Sequence, residues 1–80
     1  MADPRYEKVG TPDVIVMEEC AELIKAICKA RRFGWSDYHP DRPGTTNEAE
    51  VESEMRDVEV AILRLRGKLA KAAEKEKRAW

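Results

Sequence analysis

The sequence has little of what several common folds and sites require. Its 80 residues include a single histidine, His39, and two cysteines. No apolar run approaches the roughly 18 residues of a membrane-spanning helix. Residues 1–10 contain no apolar core of the kind that a secretory signal needs. We therefore expect a cytoplasmic protein of one domain, with no membrane partner.

The scarcity of cysteine and histidine also limits the chemistry. Cys20 and Cys28 are eight residues apart, about 12 Å along a helix axis, which is too far for a disulfide bond. We expect buried thiols in a reducing cytoplasm. A Cys–His nucleophile would need His39, and no pattern brings that residue near either thiol. One histidine also argues against the Glu-x-x-His iron sites of helical bundles and against catalytic zinc.

Charge is abundant but balanced. Charged residues make up 39% of the chain and hydrophobic residues 42%, with a formal net charge of −1. This composition is typical of amphipathic helices, and it creates no global field that would attract nucleic acid. A domain of this size buries only about 60% of its unfolded surface, so partner chains are expected.

The first half of the chain predicts one long helix. Residues 1–10 show no periodicity and predict a flexible arm. Thr11 is a favourable N-cap and Pro12 suits the first helical turn. Gly34 follows a basic last turn and ends the pattern. The first helix is therefore expected at residues 12–33.

A loop and a second long helix should follow. Residues 34–46 contain two prolines and two glycines, which predict a loop. Asn47, with Glu50 three residues later, resembles a capping box. We expect a second helix at residues 47–78, ending in a polar helical tail. The fold class is therefore all-α, with two long antiparallel helices.

Each helix carries two carboxylates beside its apolar face. The apolar stripe of the first helix consists of Ile15, Leu23, Ala26, Ala30 and Phe33. The stripe of the second consists of Val51, Met55, Val58, Ala61, Ile62 and Leu65. Glu19 falls near the middle of the first stripe and Glu22 at its edge. Glu54 and Asp57 lie on the shoulder of the second.

These four acids predict a site for a hard metal ion. An ionised carboxylate on an apolar face is costly unless its pKa rises or a cation neutralises it. Acids at i and i+3 project from one side of a helix, so two antiparallel helices can surround one or two cations with four carboxylates. Oxygen ligands suit Mg²⁺, with Mn²⁺ as a substitute.

Other polar and aromatic residues suggest a phosphate-containing ligand. Lys25, Lys29 and Arg32 lie on the flank next to Glu22, where they would meet phosphate groups. Trp35, with Phe33 and Tyr38, is a candidate for base stacking, although plain packing at a helix end or a dimer contact is the stronger explanation for these rings. Asn47 is a candidate contact to the base or sugar, although capping already accounts for it. The list of candidate substrate-binding residues is Lys25, Lys29, Arg32, Trp35 and Asn47.

The acidic motifs resemble a known family. Glu18-Glu19-x-x-Glu22-Leu23, followed by Glu54-x-x-Asp57-Val58, resembles the signature of the MazG-like all-α nucleoside triphosphate pyrophosphohydrolases. The segments at residues 19–25 and 29–34 also resemble short phage and bacterial members. The resemblance covers residues 14–66.

The resemblance implies a Mg²⁺-dependent reaction that cleaves a (d)NTP between its α and β phosphates. A nucleoside monophosphate and pyrophosphate are the products. By motif position, the metal ligands would be Glu19, Glu22, Glu54 and Asp57. Glu18 would orient water or pair with a lysine, which makes Glu18, Glu19 and Glu22 the candidate catalytic residues. Larger members complete their bundle with helices that this chain lacks, so a partner subunit is expected.

Several apolar residues fall outside both stripes. They are Met17, Ile24, Cys28, Val60 and Leu63. A lone hairpin would expose them, and large exposed apolar patches usually mark an interface. We expect a homodimer or homotetramer that completes a four-helix bundle. The alternative is a non-catalytic helical oligomerisation or interaction protein, whose acids form a solvated face.

Overall fold

A computed structural model describes residues 11–79 of the chain. They form two α-helices, α1 at Pro12–Phe33 and α2 at Asn47–Ala79, which pack against each other. Within residues 11–79 there is no named strand, and Tyr38 and Thr46 form an isolated antiparallel bridge in the loop. The predicted all-α fold is confirmed for this part of the chain. The arm predicted at residues 1–10 lies outside the described residues.

The ends of α1 follow from local hydrogen bonds. Thr11 occupies the N-cap position, and its carbonyl accepts the Ile15 N–H at 3.0 Å, but its side chain makes no capping hydrogen bond. At the other end, the N–H of Gly34 donates to the Ala30 carbonyl at 2.8 Å, and Gly34 has a φ of 106°. Residues with a Cβ rarely adopt this conformation, so glycine lets the chain leave the helix here.

The start of α2 differs from the predicted capping box. The hydroxyl of Thr46 accepts the Ala49 N–H at 3.2 Å, so Thr46 is the cap. Asn47 instead turns back towards the end of α1, where its Nδ2 donates to the Gly34 carbonyl at 2.8 Å. The predicted cap was wrong because the side chains of Asn47 and Glu50 are engaged elsewhere, Asn47 with α1 and Glu50 with two basic residues.

Ion pairs at both ends show that the helices are antiparallel. Lys29 near the end of α1 lies 3.2 Å from Glu50 near the start of α2. Asp13 at the start of α1 lies 3.5 Å from Lys68, far along α2. Beyond Lys68, α2 continues for 11 residues, about 16 Å. That segment extends past the beginning of α1.

The core between the helices is built from small side chains. The buried hydrophobic residues are Ala26, Ala30, Val51 and Ala61. Leu23 and Ile27 pack against this cluster from α1. No large side chain is fully buried within the described residues. The alanines let the two helices approach closely, but the single chain buries little apolar surface.

Much apolar surface remains exposed on one copy of the chain. The predicted exposure of Met17, Ile24, Val60, Leu63 and Cys28 is confirmed. Phe33 and Met55 were expected in the stripes but are 60% and 47% exposed, because a two-helix hairpin covers only one face of each helix.

The expectation of buried thiols was wrong for Cys28, and both cysteines are free. Within residues 11–79, neither helix combines the length and hydrophobicity needed to cross a bilayer.

Candidate functional site

Three carboxylates from the two helices meet at the edge of the helix interface. Glu19 of α1 and Glu54 and Asp57 of α2 each offer an oxygen, and these oxygens all lie within 4.8 Å of one another. Glu19 and Glu54 are half-buried and Asp57 is exposed. We call these three residues the acidic cluster. The i,i+3 spacing on α2 puts two acids on one side of that helix, and the antiparallel packing brings Glu19 to them.

The electrostatics of the acidic cluster are unfavourable when no cation is bound. The pKa of Glu54 is raised, first because burial removes its carboxylate from water, and then because of repulsion by Asp57, Glu19, Glu22 and Glu50. Both effects disfavour the charged form of an acid. Among the described residues, no lysine or arginine forms an ion pair with a member of the acidic cluster. Arg64 lines a small cavity together with Glu19 and Asp57, so a basic side chain lies beside the cluster without pairing with it.

The other two predicted acids lie outside the acidic cluster. Glu22 is exposed on α1, but it lines a groove that also includes Glu54, and its charge contributes to the raised pKa of Glu54. Glu18 is exposed and lines neither that groove nor the cavity beside the loop. Glu22 therefore lies next to the acidic cluster, whereas Glu18 is exposed to solvent.

A groove of about 460 Å³ runs between α1, the loop and α2. It is lined by Glu22, Lys25, Ala26, Lys29, Arg42, Thr45, Ala49, Glu50, Ser53 and Glu54. We call it the polar groove. It adjoins the acidic cluster through Glu54, which belongs to both. The predicted phosphate-binding residues Lys25 and Lys29 line it, but Arg32 does not; its guanidinium lies 5.9 Å from the centre of the Phe33 ring.

Two residues of the polar groove were missed at the sequence level. Glu50 is only 14% exposed, and its two oxygens contact Lys29 Nζ at 3.2 Å and Arg42 Nη2 at 3.0 Å. Arg42 lies in an aperiodic loop, so no helical pattern pointed to it. Glu50 had been explained as part of a capping box. Its pairing with Lys29 could be found only from the register of the antiparallel helices.

A second cavity, of about 640 Å³, lies beside the loop and is more apolar. It is lined by Lys29, Phe33, Asp37, Tyr38, His39, Pro40, Pro43 and Asn47. Asn47 is 3% exposed, and its Oδ1 has no hydrogen-bond partner among the described residues. The side chain of Trp35 lines neither cavity, and Trp35 is 45% exposed. Its backbone carbonyl accepts the Glu48 N–H at 2.8 Å. Phe33 and Tyr38 are therefore the aromatic side chains of this loop cavity.

Comparison with known proteins gives no relative from which a function can be transferred. No family model, no curated protein and no solved structure matches the chain. The resemblance to the MazG-like family therefore remains a prediction from the acidic motifs. The function has to be inferred from the geometry and chemistry of the side chains described above.

Proposed function

We propose that the protein is a Mg²⁺-dependent nucleoside triphosphate pyrophosphohydrolase of the MazG-like type, acting on (d)NTPs. The observation that carries this proposal is the convergence of Glu19, Glu54 and Asp57 from two helices. Acids that repel one another lower the stability of a fold. Residues that a protein retains despite this loss of stability often have a function. The basic side chains Lys25 and Lys29, which line the adjoining groove, support a phosphate-containing substrate.

The donor atoms of the acidic cluster fit Mg²⁺ or Mn²⁺. All are carboxylate oxygens, which hard cations prefer, and the raised pKa of Glu54 is the response expected of an acid that lacks a neutralising cation. Glu19, Glu54 and Asp57 would hold the ion, with Glu22 as a fourth ligand or an acceptor for a water molecule. The bound ion would neutralise phosphate charge and lower the pKa of water.

The chain's own residues have separate tasks in this reaction. Water attacks the α phosphorus, the bond from that phosphorus to the bridging oxygen breaks, and pyrophosphate leaves. Lys25 and Lys29 would bind phosphate oxygens through charge-assisted hydrogen bonds. Glu22 lines the polar groove but is not part of the acidic cluster. It is therefore better situated to accept the proton of the attacking water than Glu18, which does not line the groove.

The loop cavity is the proposed site for the nucleoside. Lys29 lines both this cavity and the polar groove, so a ligand whose phosphates occupy the groove can extend into the cavity. Phe33 and Tyr38 offer aromatic faces there, and base–aromatic stacking is favourable for every base. Trp35 is a weaker candidate than the sequence suggested, since it does not line the cavity.

We further propose that the chain self-associates and completes a four-helix bundle as a dimer or tetramer. Met17 and Ile24 on α1 and Val60 and Leu63 on α2 are about half exposed or more, and a second copy would cover them. Sedimentation at micromolar concentration should give a dimeric or tetrameric mass. A monomeric mass would contradict the bundle.

Pyrophosphate release over a panel of (d)NTPs tests the enzymatic proposal. We expect release with Mg²⁺ or Mn²⁺, little with Ca²⁺, whose longer bonds and higher coordination misplace the reacting groups, and none after chelation. Glu52→Gln, at an exposed acid on α2 outside the acidic cluster, should release pyrophosphate as the wild type does. The alternative, a non-catalytic oligomerisation protein, is favoured by the exposed apolar side chains. It predicts no release with any nucleotide and no effect of Mg²⁺.

A further inference from the structure

We propose that Arg42 is a phosphate-binding residue of the polar groove, and that Glu50 is a positioning residue that holds Arg42 and Lys29 there. The ligand class is an oligophosphate chain, and its identity as the tail of a nucleotide rests on the proposed function. Neither Arg42 nor Glu50 belongs to the acidic motifs from which that function was inferred. Ion pairs through Glu50 link Arg42 of the loop to α2 and Lys29 of α1 to the same carboxylate.

Glu50 connects three separate parts of the chain. It belongs to α2, its Oε2 contacts Lys29 of α1 at 3.2 Å, and its Oε1 contacts Arg42 of the loop at 3.0 Å. Oε2 accepts a hydrogen bond from Lys29 Nζ, whereas Oε1 forms an ion pair with Arg42 that lacks hydrogen-bond geometry. One carboxylate therefore keeps the ammonium and guanidinium groups close to each other. At 14% exposure, Glu50 is also shielded from water more than a surface ion pair would be, which strengthens its hold on both cations.

Both cations keep donors for a ligand. A guanidinium has five N–H donors and an ammonium has three. Glu50 contacts Arg42 through Nη2 alone and contacts Lys29 Nζ through one oxygen, so each cation keeps further N–H groups. Arg42 is 57% exposed, so its remaining donors are accessible from the groove that it lines. Lys25 lines the same groove and forms no ion pair within the described residues.

The loop that carries Arg42 has backbone hydrogen bonds that do not involve Glu50, among them that of the Arg42 N–H to the His39 carbonyl at 2.8 Å. The Asn47 N–H donates to the Asp37 carbonyl at 2.7 Å, and the Glu48 N–H donates to the Trp35 carbonyl at 2.8 Å. These bonds attach the first part of the loop to the start of α2. Replacing Glu50 should therefore release the side chains of Arg42 and Lys29 while the loop stays attached.

The positioning role predicts a change in anion affinity opposite to the change that charge alone predicts. Glu50→Gln removes a negative charge from an anion site, so charge alone predicts tighter binding of an anion. If Glu50 positions the two cations, the same change weakens binding instead. We would measure binding of Mg²⁺–tripolyphosphate and of an α,β-imido deoxynucleoside triphosphate by calorimetry. Tripolyphosphate has no nucleoside, so the two probes separate phosphate binding from recognition of the base.

We expect Glu50→Gln and Arg42→Gln each to weaken binding of both probes by about tenfold, as the loss of a charge-assisted hydrogen bond predicts. Arg42→Lys should recover part of the loss, since it restores the charge but not the fork of donors. The matched controls are Glu52→Gln and Arg56→Gln, at exposed positions on α2 that line neither cavity. Both should stay within about twofold of the wild type.

A charge-conserving variant keeps the test decisive if Glu50→Gln fails to fold. Glu50→Asp retains the negative charge but shortens the side chain, so weaker binding by that variant also reports position. Tighter binding by Glu50→Gln, or an effect of Arg42→Gln no larger than that of Arg56→Gln, would overturn the inference. Weakened tripolyphosphate binding without any pyrophosphate release would instead refute the proposed function and leave the phosphate site standing.

Discussion

Two regions of the same hairpin place their acids in opposite surroundings. At the loop junction, which we define as Lys29, Gly34, Arg42, Asn47 and Glu50, the carboxylate of Glu50 contacts two cations. One helical turn further along α2, Glu54 has acids around it and a raised pKa. The loop junction is what a stable fold requires, because a charge removed from water needs a partner. The acids of the acidic cluster form no ion pair within the described residues, as we would expect of the proposed cation site.

The largest expected effect is on the proposed pyrophosphohydrolase activity, in which the acidic cluster would hold the metal ion. We expect Glu19→Gln to reduce Mg²⁺-dependent turnover at least about tenfold, since a metal ligand is lost. Without metal, the variant should melt at the same or a higher temperature than the wild type, because repulsion is removed while the shape is kept. It should also lose most of the stabilisation by Mg²⁺.

Calorimetry with and without Mg²⁺, together with pyrophosphate release, checks the prediction for Glu19. Glu52→Gln, at an exposed acid outside the cluster, serves as the control and should match the wild type in all three measurements. A lower metal-free melting temperature for Glu19→Gln, with no Mg²⁺ effect on the wild type, would show a satisfied structural acid instead.

The next largest effect should come from the loop junction. Asn47 is almost fully buried and its Nδ2 donates to the Gly34 carbonyl. Asn47→Ala should lower the free energy of unfolding by about 1 kcal/mol, because the Gly34 carbonyl loses its shorter hydrogen bond and keeps only the bond from the Asp37 N–H at 3.3 Å. Urea denaturation measures this, with Ser36→Ala in the exposed part of the loop as the control. Equal stability of the two variants would mean that the Asn47 bond does not join the helices.

Glu50 and Glu54 should respond oppositely to the same substitution in metal-free protein. Glu50→Gln should lower the free energy of unfolding by roughly 1 kcal/mol, since two partly exposed ion pairs are lost. Glu54→Gln should leave it unchanged or raise it, because the neutral amide removes a desolvated charge and the repulsion from the neighbouring acids. Denaturation of both variants in one buffer tests the contrast. Destabilisation of similar size in both would remove the distinction between Glu50 and the acidic cluster.

The dependence of stability on pH should be the smallest of these effects. Because the folded pKa of Glu54 is raised, the folded state binds this proton more tightly than the unfolded state does. The resulting stabilisation is complete below the unfolded pKa and is lost as the pH rises through the folded pKa. The advantage of Glu54→Gln over the wild type should therefore be greater at about pH 7 than at about pH 4. A constant difference would contradict the assigned shift.

Part of this molecule could be predicted from local patterns. Thr11, Pro12 and Gly34 mark the ends of α1, and the helical periodicity brings Glu19 to the same interface as Glu54 and Asp57. These features depend on spacing within one helix and on antiparallel packing. Glu22 lies outside the acidic cluster because of how far each helix is rotated about its own axis. The periodicity of the sequence defines that rotation only roughly.

The loop junction could not be predicted in this way. Arg42 reaches Glu50 through the conformation of a loop that has no periodicity, and Asn47 has a partner 13 residues earlier in the chain. Asn47 and Glu50 matched a capping box, but tertiary contacts engage both side chains instead. Local propensity is a weak guide wherever such contacts compete for the same groups.

Direct binding of Mn²⁺ tests the central contrast most sharply. We would titrate the metal into the wild type, Glu54→Gln and Glu50→Gln and follow free Mn²⁺ by electron paramagnetic resonance. We expect the wild type to bind Mn²⁺, Glu54→Gln to bind at least about tenfold more weakly because a ligand is lost, and Glu50→Gln to stay within about threefold of the wild type. Equal affinity of the wild type and Glu54→Gln, or no binding by either, would contradict the assignment of the acidic cluster as a cation site.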